Sequence, residues 1–281
     1  MDGFYSIWSK PYLVKHNTES FFMRDFELLT LILSANVWQR YNGTAMLIAD
    51  KPATEYFDKR DLLDVFKGGY KELIVSDNID TNMFWAGGKL YALKELDRPI
   101  CMVDLDLIVW KNMEDFLDNK NILVIHREEI TENIYPDFHK FKTVDGYAFP
   151  DDYDMSVLPC NTAMMYADDI AFVHEYADAA IEFMTHAKAC NDNLNRMVFA
   201  EQRLLSIMAK RNNKEIKAIF PLARDIGVQN IFTHLWGHKN ILKFNQDERV
   251  KFCKKVINRL RYEYPDSYEK VSKLEEIKEY L

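Results

Sequence analysis

Residues 98–116, RPICMVDLDLIVWKNMEDF, decide the fold. They form a nearly continuous apolar run that contains two acidic residues and ends abruptly in acidic side chains. Such a run is typical of a central strand that is buried on both faces of a parallel sheet. We therefore predict that Asp104 and Asp106 lie at the carboxyl end of this strand. Open α/β sheets bind their ligands at that edge.

Strand-like and helix-like segments alternate on both sides of this run. Short β-prone segments are FYSIW (4–8), TAMLIAD (44–50), KELIVS (71–76), ILVIHRE (122–128), IKAIF (216–220) and IFTHLW (231–236). Helical spacing predicts helices that begin near Thr18, Pro52, Asn82, Asp169 and Arg196, and a charged, helical end from Gln246. We predict an α/β fold with a mostly parallel central sheet flanked by helices, and long loops over 132–160.

Composition and charge limit the classes of function. The chain has 281 residues, of which 48% are hydrophobic and 28% charged, so it can bury a full core. Its 36 basic and 44 acidic residues give a net charge of -8, which argues against binding to nucleic acid phosphates. A phosphate-bearing ligand would need a local basic cluster or a divalent cation.

The cysteines and the apolar segments indicate the compartment. Cys101, Cys160, Cys190 and Cys253 form no C-x-x-C pair and have no zinc-site spacing, so we expect reduced thiols. The N-terminus does not have the pattern of a signal peptide, and no stretch approaches the roughly 18 apolar residues of a membrane span. We expect a cytoplasmic protein with no transmembrane segment.

Asp104 and Asp106 are the residues most directly linked to chemistry. Residues i and i+2 of a strand share a face, so both carboxylates would point the same way. Two close carboxylates repel each other unless a cation lies nearby, and Mg²⁺ or Mn²⁺ prefers such oxygen ligands. The alternative is that both residues are merely the polar end of a strand.

The motif and four further segments resemble a known family. The apolar run with D-x-D resembles the metal-binding motif of GT-A-fold glycosyltransferases. Segments that resemble glycosyltransferase family 8 and related bacterial families, in the same order, are WAGGKLYALKEL (85–96), PCNTAMMYAD (159–168), AEQRLLSIMA (200–209) and FTHLWGHKN (232–240). The resemblance implies a GT-A nucleotide-diphospho-sugar transferase domain over residues 1–240. Residues 241–281 would be a helical extension, packed on that domain or projecting from it.

The resemblance implies a metal and diphosphate site. His234 would join Asp104 and Asp106 as the third ligand of Mn²⁺ or Mg²⁺. Lys239, with Gly237 at the family's spacing, would meet the diphosphate as a point charge. The alternative for His234 is a structural histidine.

The resemblance also implies further donor contacts. Lys89 would be a second cation, and Gly87 and Gly88 before it would let the backbone approach a sugar or phosphate. The alternative is a solvated helix lysine beside a kink. Tyr5 and Trp8 would hold the nucleotide base by stacking, although core packing explains these aromatic residues equally well.

Three residues are candidates for the reacting sugars. Asn161 has an amide that can donate to and accept from a sugar hydroxyl. Glu201 stands where the family has Asp, next to Gln202, and this pair would lie beside the anomeric carbon. An amide is a weak nucleophile, which favours retaining chemistry by analogy with the family.

The resemblance implies a metal-dependent glycosyltransferase. It would move a sugar from a nucleotide-diphosphate sugar, with UDP favoured, to a hydroxyl of a glycan or a lipid-linked glycan, in bacterial surface glycan synthesis. Such acceptors would bring it to the inner face of the membrane, with a peripheral contact through the C-terminal helices.

Two other functions remain open. One is a phosphohydrolase of the haloacid dehalogenase type, with Asp104 as nucleophile, Asp106 as acid and Asp168-Asp169 as the distal acidic motif. The late position of Asp104 and the presence of Ile108 where Thr or Val is usual argue against it. The other is a non-catalytic sugar-binding protein on the same fold.

Overall fold

A computed structural model describes residues 1–118, 121–188 and 193–281, in which strands and helices alternate along the chain. The strands are β1 (Gly3–Ile7), β2 (Ala45–Ala49), β3 (Tyr70–Glu72), β4 (Cys101–Val103), β5 (Leu107–Val109), β6 (Ile122–Arg127), β7 (Met164–Ala167), β8 (Ile216–Leu222) and β9 (Phe232–His234). The α-helices are α1 (Lys10–His16), α2 (Asp25–Tyr41), α3 (Lys51–Asp58), α4 (Gly88–Lys94), α5 (Ile170–His186), α6 (Leu194–Val198), α7 (Leu204–Arg211), α8 (His238–Phe244), α9 (Gln246–Glu263) and α10 (Pro265–Val271). A π-helical turn, Phe199–Arg203, joins α6 to α7.

Seven strands form a central sheet in the order β3-β2-β1-β4-β7-β6-β8, and β5 pairs with β9 in a second, two-stranded sheet. Most central pairs are parallel, whereas β7 is antiparallel to both β4 and β6. The predicted α/β fold with a mostly parallel sheet flanked by helices is confirmed.

One edge of the sheet collects the polar residues that matter for function. The carboxyl ends of β1, β4 and β6 and the amino end of the reversed strand β7 all lie at this edge, which we call the carboxyl edge. The residues Trp8, Asp104 and Glu128 directly follow the first three strands, and Asn161 lies shortly before β7.

Hydrophobic cores cover both faces of the sheet. Because side chains alternate along a strand, Tyr5 and Val103 belong to the core that includes α2 and α9, while Phe4 and Met102 belong to the core that includes α4 and α5. Full burial of such side chains contributes roughly 1.5–3 kcal/mol each. The carboxyl edge is therefore supported by packed layers on both sides.

The C-terminal residues share the first of these cores. Leu260 and Ile277 lie in the same buried cluster as Phe26 and Val37, and α9 packs against α2. Residues 241–281 thus pack on the rest of the chain. Within the described ranges, no helix is both long and apolar enough to cross a membrane.

Several predicted elements differ from the structure. Asp104 directly follows β4, as expected of the carboxyl end of a buried strand, but the apolar run does not form one strand: a turn at Asp104 ends β4, and β5 joins the second sheet. The Leu107 N–H donates to the Asp104 carbonyl at 3.1 Å. The helix expected from Thr18 begins instead at Asp25, as α2. The shorter helix α1 precedes it and ends at its C-cap Asn17, which has a left-handed backbone conformation. The helices expected from Pro52 and from Asn82 are also shorter in the structure, where they are α3 and α4.

The cysteines are consistent with the expected thiols. Cys101, Cys160 and Cys253 are buried and free. Cys190 lies outside the described residues.

Candidate functional site

The Asp104-Leu105-Asp106 turn, which we call the D-x-D turn, joins β4 to β5 at the carboxyl edge. The Asp104 N–H donates to the Ala163 carbonyl at 2.7 Å, which anchors the turn to the segment before β7. All three residues of the turn line a pocket of about 460 Å³. The two carboxylates thus face the same pocket, although a turn rather than a strand face brings them together.

His234 completes a group of three possible metal ligands. One ligand atom each from Asp104, Asp106 and His234 lies within 4.8 Å of the other two. The second sheet accounts for this arrangement, because β5 pairs with β9 so that Leu107 lies opposite His234. The Leu235 N–H also donates to the Asp106 carbonyl at 3.1 Å.

Lysines from two helices contact these carboxylates. The Nζ atom of Lys239, on α8, lies 2.7 Å from Asp106 Oδ2. The Nζ atom of Lys89, on α4, lies 2.5 Å from Asp104 Oδ1 and 2.6 Å from Glu201 Oε1. Only 18% of the Lys89 side chain is exposed, so the alternative of a solvated helix lysine is wrong.

The two carboxylates have opposite electrostatic environments. Burial raises the pKa of Asp104; Lys89 counteracts this, and the charges of Glu201 and Asp106 add to the increase. Burial would also raise the pKa of Asp106, but the neighbouring His234 and the charge of Lys239 outweigh it and hold this pKa below its usual range. Asp106 is therefore the carboxylate that stays ionised most readily.

The donor atoms of this group suit a divalent cation. Asp104 Oδ1 and Asp106 Oδ2 are buried, and each is in ionic contact with a lysine ammonium, at 2.5 Å and 2.7 Å. Buried carboxylates of this kind are costly unless positive charge reaches them. Two carboxylates and an imidazole suit Mn²⁺ or Mg²⁺.

A second polar group extends from the same site. Glu201 Oε1, which Lys89 contacts, also accepts a hydrogen bond from Thr162 Oγ1 at 2.9 Å. The next residue, Gln202, accepts a hydrogen bond at Oε1 from the Tyr135 hydroxyl at 2.5 Å. Both lie in the π-helical turn, a distortion that is frequent at functional sites.

Asn161 lies beside this group with both ends of its amide engaged. Its Oδ1 accepts from the Ala163 N–H at 3.1 Å, and its Nδ2 lies 3.4 Å from Glu128 Oε1. The sequence analysis missed Glu128 and Tyr135. The position of Glu128 directly after a buried strand was an available signal, whereas Tyr135 lies in a loop with no periodicity.

One of the expected donor contacts, Tyr5, is corrected. Tyr5 does not reach a ligand: it is fully buried, its hydroxyl hydrogen-bonds to Ser34 Oγ at 2.8 Å, and it is absent from the pocket lining, so it is a core residue. Gly88 lines the pocket, and the absence of its side chain also makes room for Trp8, because a Cβ at Gly88 would lie 2.5 Å from Trp8 Cβ. Trp8 itself lines the pocket.

Gly237 is unlike Gly88. A Cβ added at Gly237 would meet nothing within 4 Å, and its φ of -72° is open to any residue.

Part of the pocket wall is aromatic, which was not predicted from the sequence. It includes Tyr12, Phe21, Phe22, Phe26 and Trp85.

The family model of DUF6734, described as a family of unknown function, matches residues 1–274. The chain belongs to this family. No curated protein sequence matches it.

Solved structures give distant similarities. Mouse xyloside xylosyltransferase 1, apo form, is 11% identical with a TM-score of 0.36, covering 78% of this chain and 85% of that chain. The 4-diphosphocytidyl-2C-methyl-D-erythritol synthase of Anaerococcus prevotii is 11% identical with a TM-score of 0.38, covering 82% and 93%. The galactosyltransferase LgtC with donor and acceptor sugar analogs is 8% identical with a TM-score of 0.39, covering 72% and 71%.

The acidic pair expected for a phosphohydrolase does not lie at the D-x-D turn. Asp169 caps α5 by accepting hydrogen bonds from the Ala171 and Phe172 N–H groups, and it pairs with Lys214 at 2.7 Å. Asp168 is exposed and accepts a hydrogen bond from Asn121. The alternative in which Asp168-Asp169 serves as a distal acidic motif is therefore wrong.

Proposed function

We propose that this protein is a metal-dependent glycosyltransferase of the GT-A type, which moves a sugar from a nucleotide-diphosphate sugar to an acceptor hydroxyl. The observation that carries this proposal is the convergence of Asp104, Asp106 and His234 beside a pocket that both carboxylates and two lysines, Lys89 and Lys239, line. Asp104, Asp106 and His234 would hold Mn²⁺ or Mg²⁺, which supplies positive charge to a bound diphosphate.

Lys239 is suited to the leaving group. It pairs with one carboxylate, and 32% of its side chain is exposed, so it can turn to a phosphate oxygen. In the reaction, the bond between the anomeric carbon and the β-phosphate oxygen breaks and its electron pair stays on the diphosphate. The acceptor oxygen bonds to that carbon, and its proton passes to a diphosphate oxygen. Lys239 stabilises the charge that develops.

The pocket suits the nucleotide base, and the neighbouring polar group suits the sugar hydroxyls. Trp8 and the aromatic wall offer a stacking surface for the nucleotide base, with UDP as the favoured nucleotide. Glu201, Gln202 and Asn161 offer carboxylate and amide groups for sugar hydroxyls. By analogy with glycosyltransferase family 8, we propose that the anomeric configuration is retained.

The acceptor that we propose is a glycan or a lipid-linked glycan of a bacterial surface. The protein would then work in the cytoplasm at the inner face of the membrane, in contact through its C-terminal helices. Exposed aromatic side chains next to and within α8, Trp236 and Phe244, support such a contact.

The test is thermal unfolding with UDP, GDP and CMP, each with Mn²⁺ and with a chelator. A ligand at about 100 times its Kd adds roughly 2.7 kcal/mol to the free energy of unfolding, which shifts the midpoint by several degrees. We expect a shift with UDP and Mn²⁺ that the chelator abolishes. No shift with any nucleotide would contradict the proposal, and binding of a UDP-sugar without turnover would identify a non-catalytic sugar-binding protein.

A further inference from the structure

The side-chain amide of Gln202 is held in one orientation. Its Oε1 accepts a hydrogen bond from the Tyr135 hydroxyl at 2.5 Å, and Tyr135 is only 8% exposed. Within residues 1–118, 121–188 and 193–281, the other end of the amide, Nε2, donates to no protein acceptor. The oxygen is thus engaged, and the nitrogen is available to a ligand.

The backbone that carries Gln202 is fixed from several sides. The Cys160 N–H donates to the Gln202 carbonyl at 3.2 Å, and the Tyr176 hydroxyl donates to the Glu201 carbonyl. The Glu201 side chain is held by Lys89. Because the main chain is fixed, the contact with Tyr135 decides which end of the amide faces outward.

Burial and nearby charges keep the Tyr135 hydroxyl protonated. The carboxylates of Glu128 and Glu201 both act on the Tyr135 hydroxyl, and together with burial they raise the pKa of Tyr135, so the hydroxyl keeps its proton and donates. In the structure the protonated hydroxyl donates to Gln202 Oε1, so the amide nitrogen is the end that remains for a ligand.

We propose that Tyr135 is a positioning residue that commits Gln202 to donating a hydrogen bond through Nε2 to an oxygen of the bound donor sugar. This role rests on the proposed function. It assigns Gln202 the part of a hydrogen-bond donor and excludes its amide oxygen as a group that approaches the anomeric carbon.

The first experiment compares Gln202→Glu with Gln202→Ala. The glutamate keeps an oxygen in place of Oε1 but has no N–H when ionised. The readout is release of UDP from UDP-glucose, UDP-galactose and UDP-N-acetylglucosamine with Mn²⁺ and no acceptor. We expect both variants to lose about tenfold in kcat, with the Kd of UDP unchanged. Turnover by Gln202→Glu near the wild-type rate would overturn the role.

The second experiment isolates Tyr135. Tyr135→Phe should lower kcat by about five- to tenfold and change KM for the sugar nucleotide less than about twofold, because the amide loses its orientation and the binding groups remain. In the Gln202→Ala background the same change should have no further effect on kcat. An equal fall in both backgrounds, or none in either, would overturn the role.

Tyr147→Phe is the matched control. Tyr147 is partly buried and stacks on His186, and its hydroxyl makes no hydrogen bond to any described residue. It should keep wild-type kcat and KM. If the wild-type protein turns over none of the three sugar nucleotides, the proposed function fails and this role fails with it. Wild-type turnover that Tyr135→Phe leaves unchanged overturns the role alone.

Discussion

A lysine contacts the carboxylate at each end of the D-x-D turn, but the two lysines differ in how many carboxylates they contact and in how exposed they are. Lys89 lies between two carboxylates, those of Asp104 and Glu201, and 18% of its side chain is exposed. Among the described residues, the only carboxylate that Lys239 contacts is that of Asp106, and 32% of the Lys239 side chain is exposed. The comparison indicates that Lys89 holds the site together, whereas Lys239 is free to serve a ligand.

The largest effect should follow removal of Lys89. Lys89→Met leaves Asp104 and Glu201 as facing, buried carboxylates, so the free energy of unfolding should fall by about 3–5 kcal/mol. Urea unfolding monitored by circular dichroism measures this. Addition of Glu201→Gln should restore part of the loss, because one of the repelling charges is gone. A free energy of unfolding equal to that of the wild type in Lys89→Met would contradict the claim that Lys89 holds the site together.

The glycines that precede the two lysines give an intermediate effect. Gly88→Ala places a Cβ 2.5 Å from Trp8 Cβ, and the resulting strain should cost about 1–3 kcal/mol of stability. Gly237→Ala meets nothing within 4 Å and is the matched control, with a change within about 0.5 kcal/mol. Urea unfolding measures the free energy of unfolding of both variants. Equal losses would show that the space beside Gly237 is as tightly packed as the space beside Gly88.

The smallest effect should follow removal of Lys239. With Mn²⁺ present, Lys239→Met should weaken UDP binding about tenfold, or roughly 1.4 kcal/mol, because one charge on the diphosphate is lost. Uridine binding and the unfolding midpoint should hardly change. Titration calorimetry with UDP and uridine measures both affinities. A parallel loss for the two ligands would make Lys239 structural, like Lys89.

The sequence located the D-x-D turn well because local patterns encode it. An apolar run that ends in acidic residues predicts a strand end. The segment with His234, Gly237 and Lys239 was found through its resemblance to glycosyltransferase family 8 and not from a local pattern. An apolar run does not encode a change of sheet, however. The division of the expected strand into β4 and β5 therefore became visible only in the pairing of β5 with β9.

Contacts between distant segments explain what the sequence could not provide. The contact between Gly88 and Trp8 could not be predicted, because the two residues belong to segments 80 positions apart. Tyr135 was missed because its partner Gln202 is 67 positions away and its loop has no periodic pattern. Tyr5 was predicted to stack on a base because aromatic residues in a strand look alike whether they face a core or a pocket.

The proposed metal site is tested most directly by an electron paramagnetic resonance titration of Mn²⁺, with and without UDP, on three proteins. These are the wild type, Asp106→Asn and the matched control Asp168→Asn, whose carboxylate is exposed away from the turn. The account predicts Mn²⁺ binding that UDP strengthens in the wild type and in Asp168→Asn, and a loss of at least about 10- to 100-fold in Asp106→Asn. Wild-type Mn²⁺ affinity in Asp106→Asn would contradict the metal site and the function built on it.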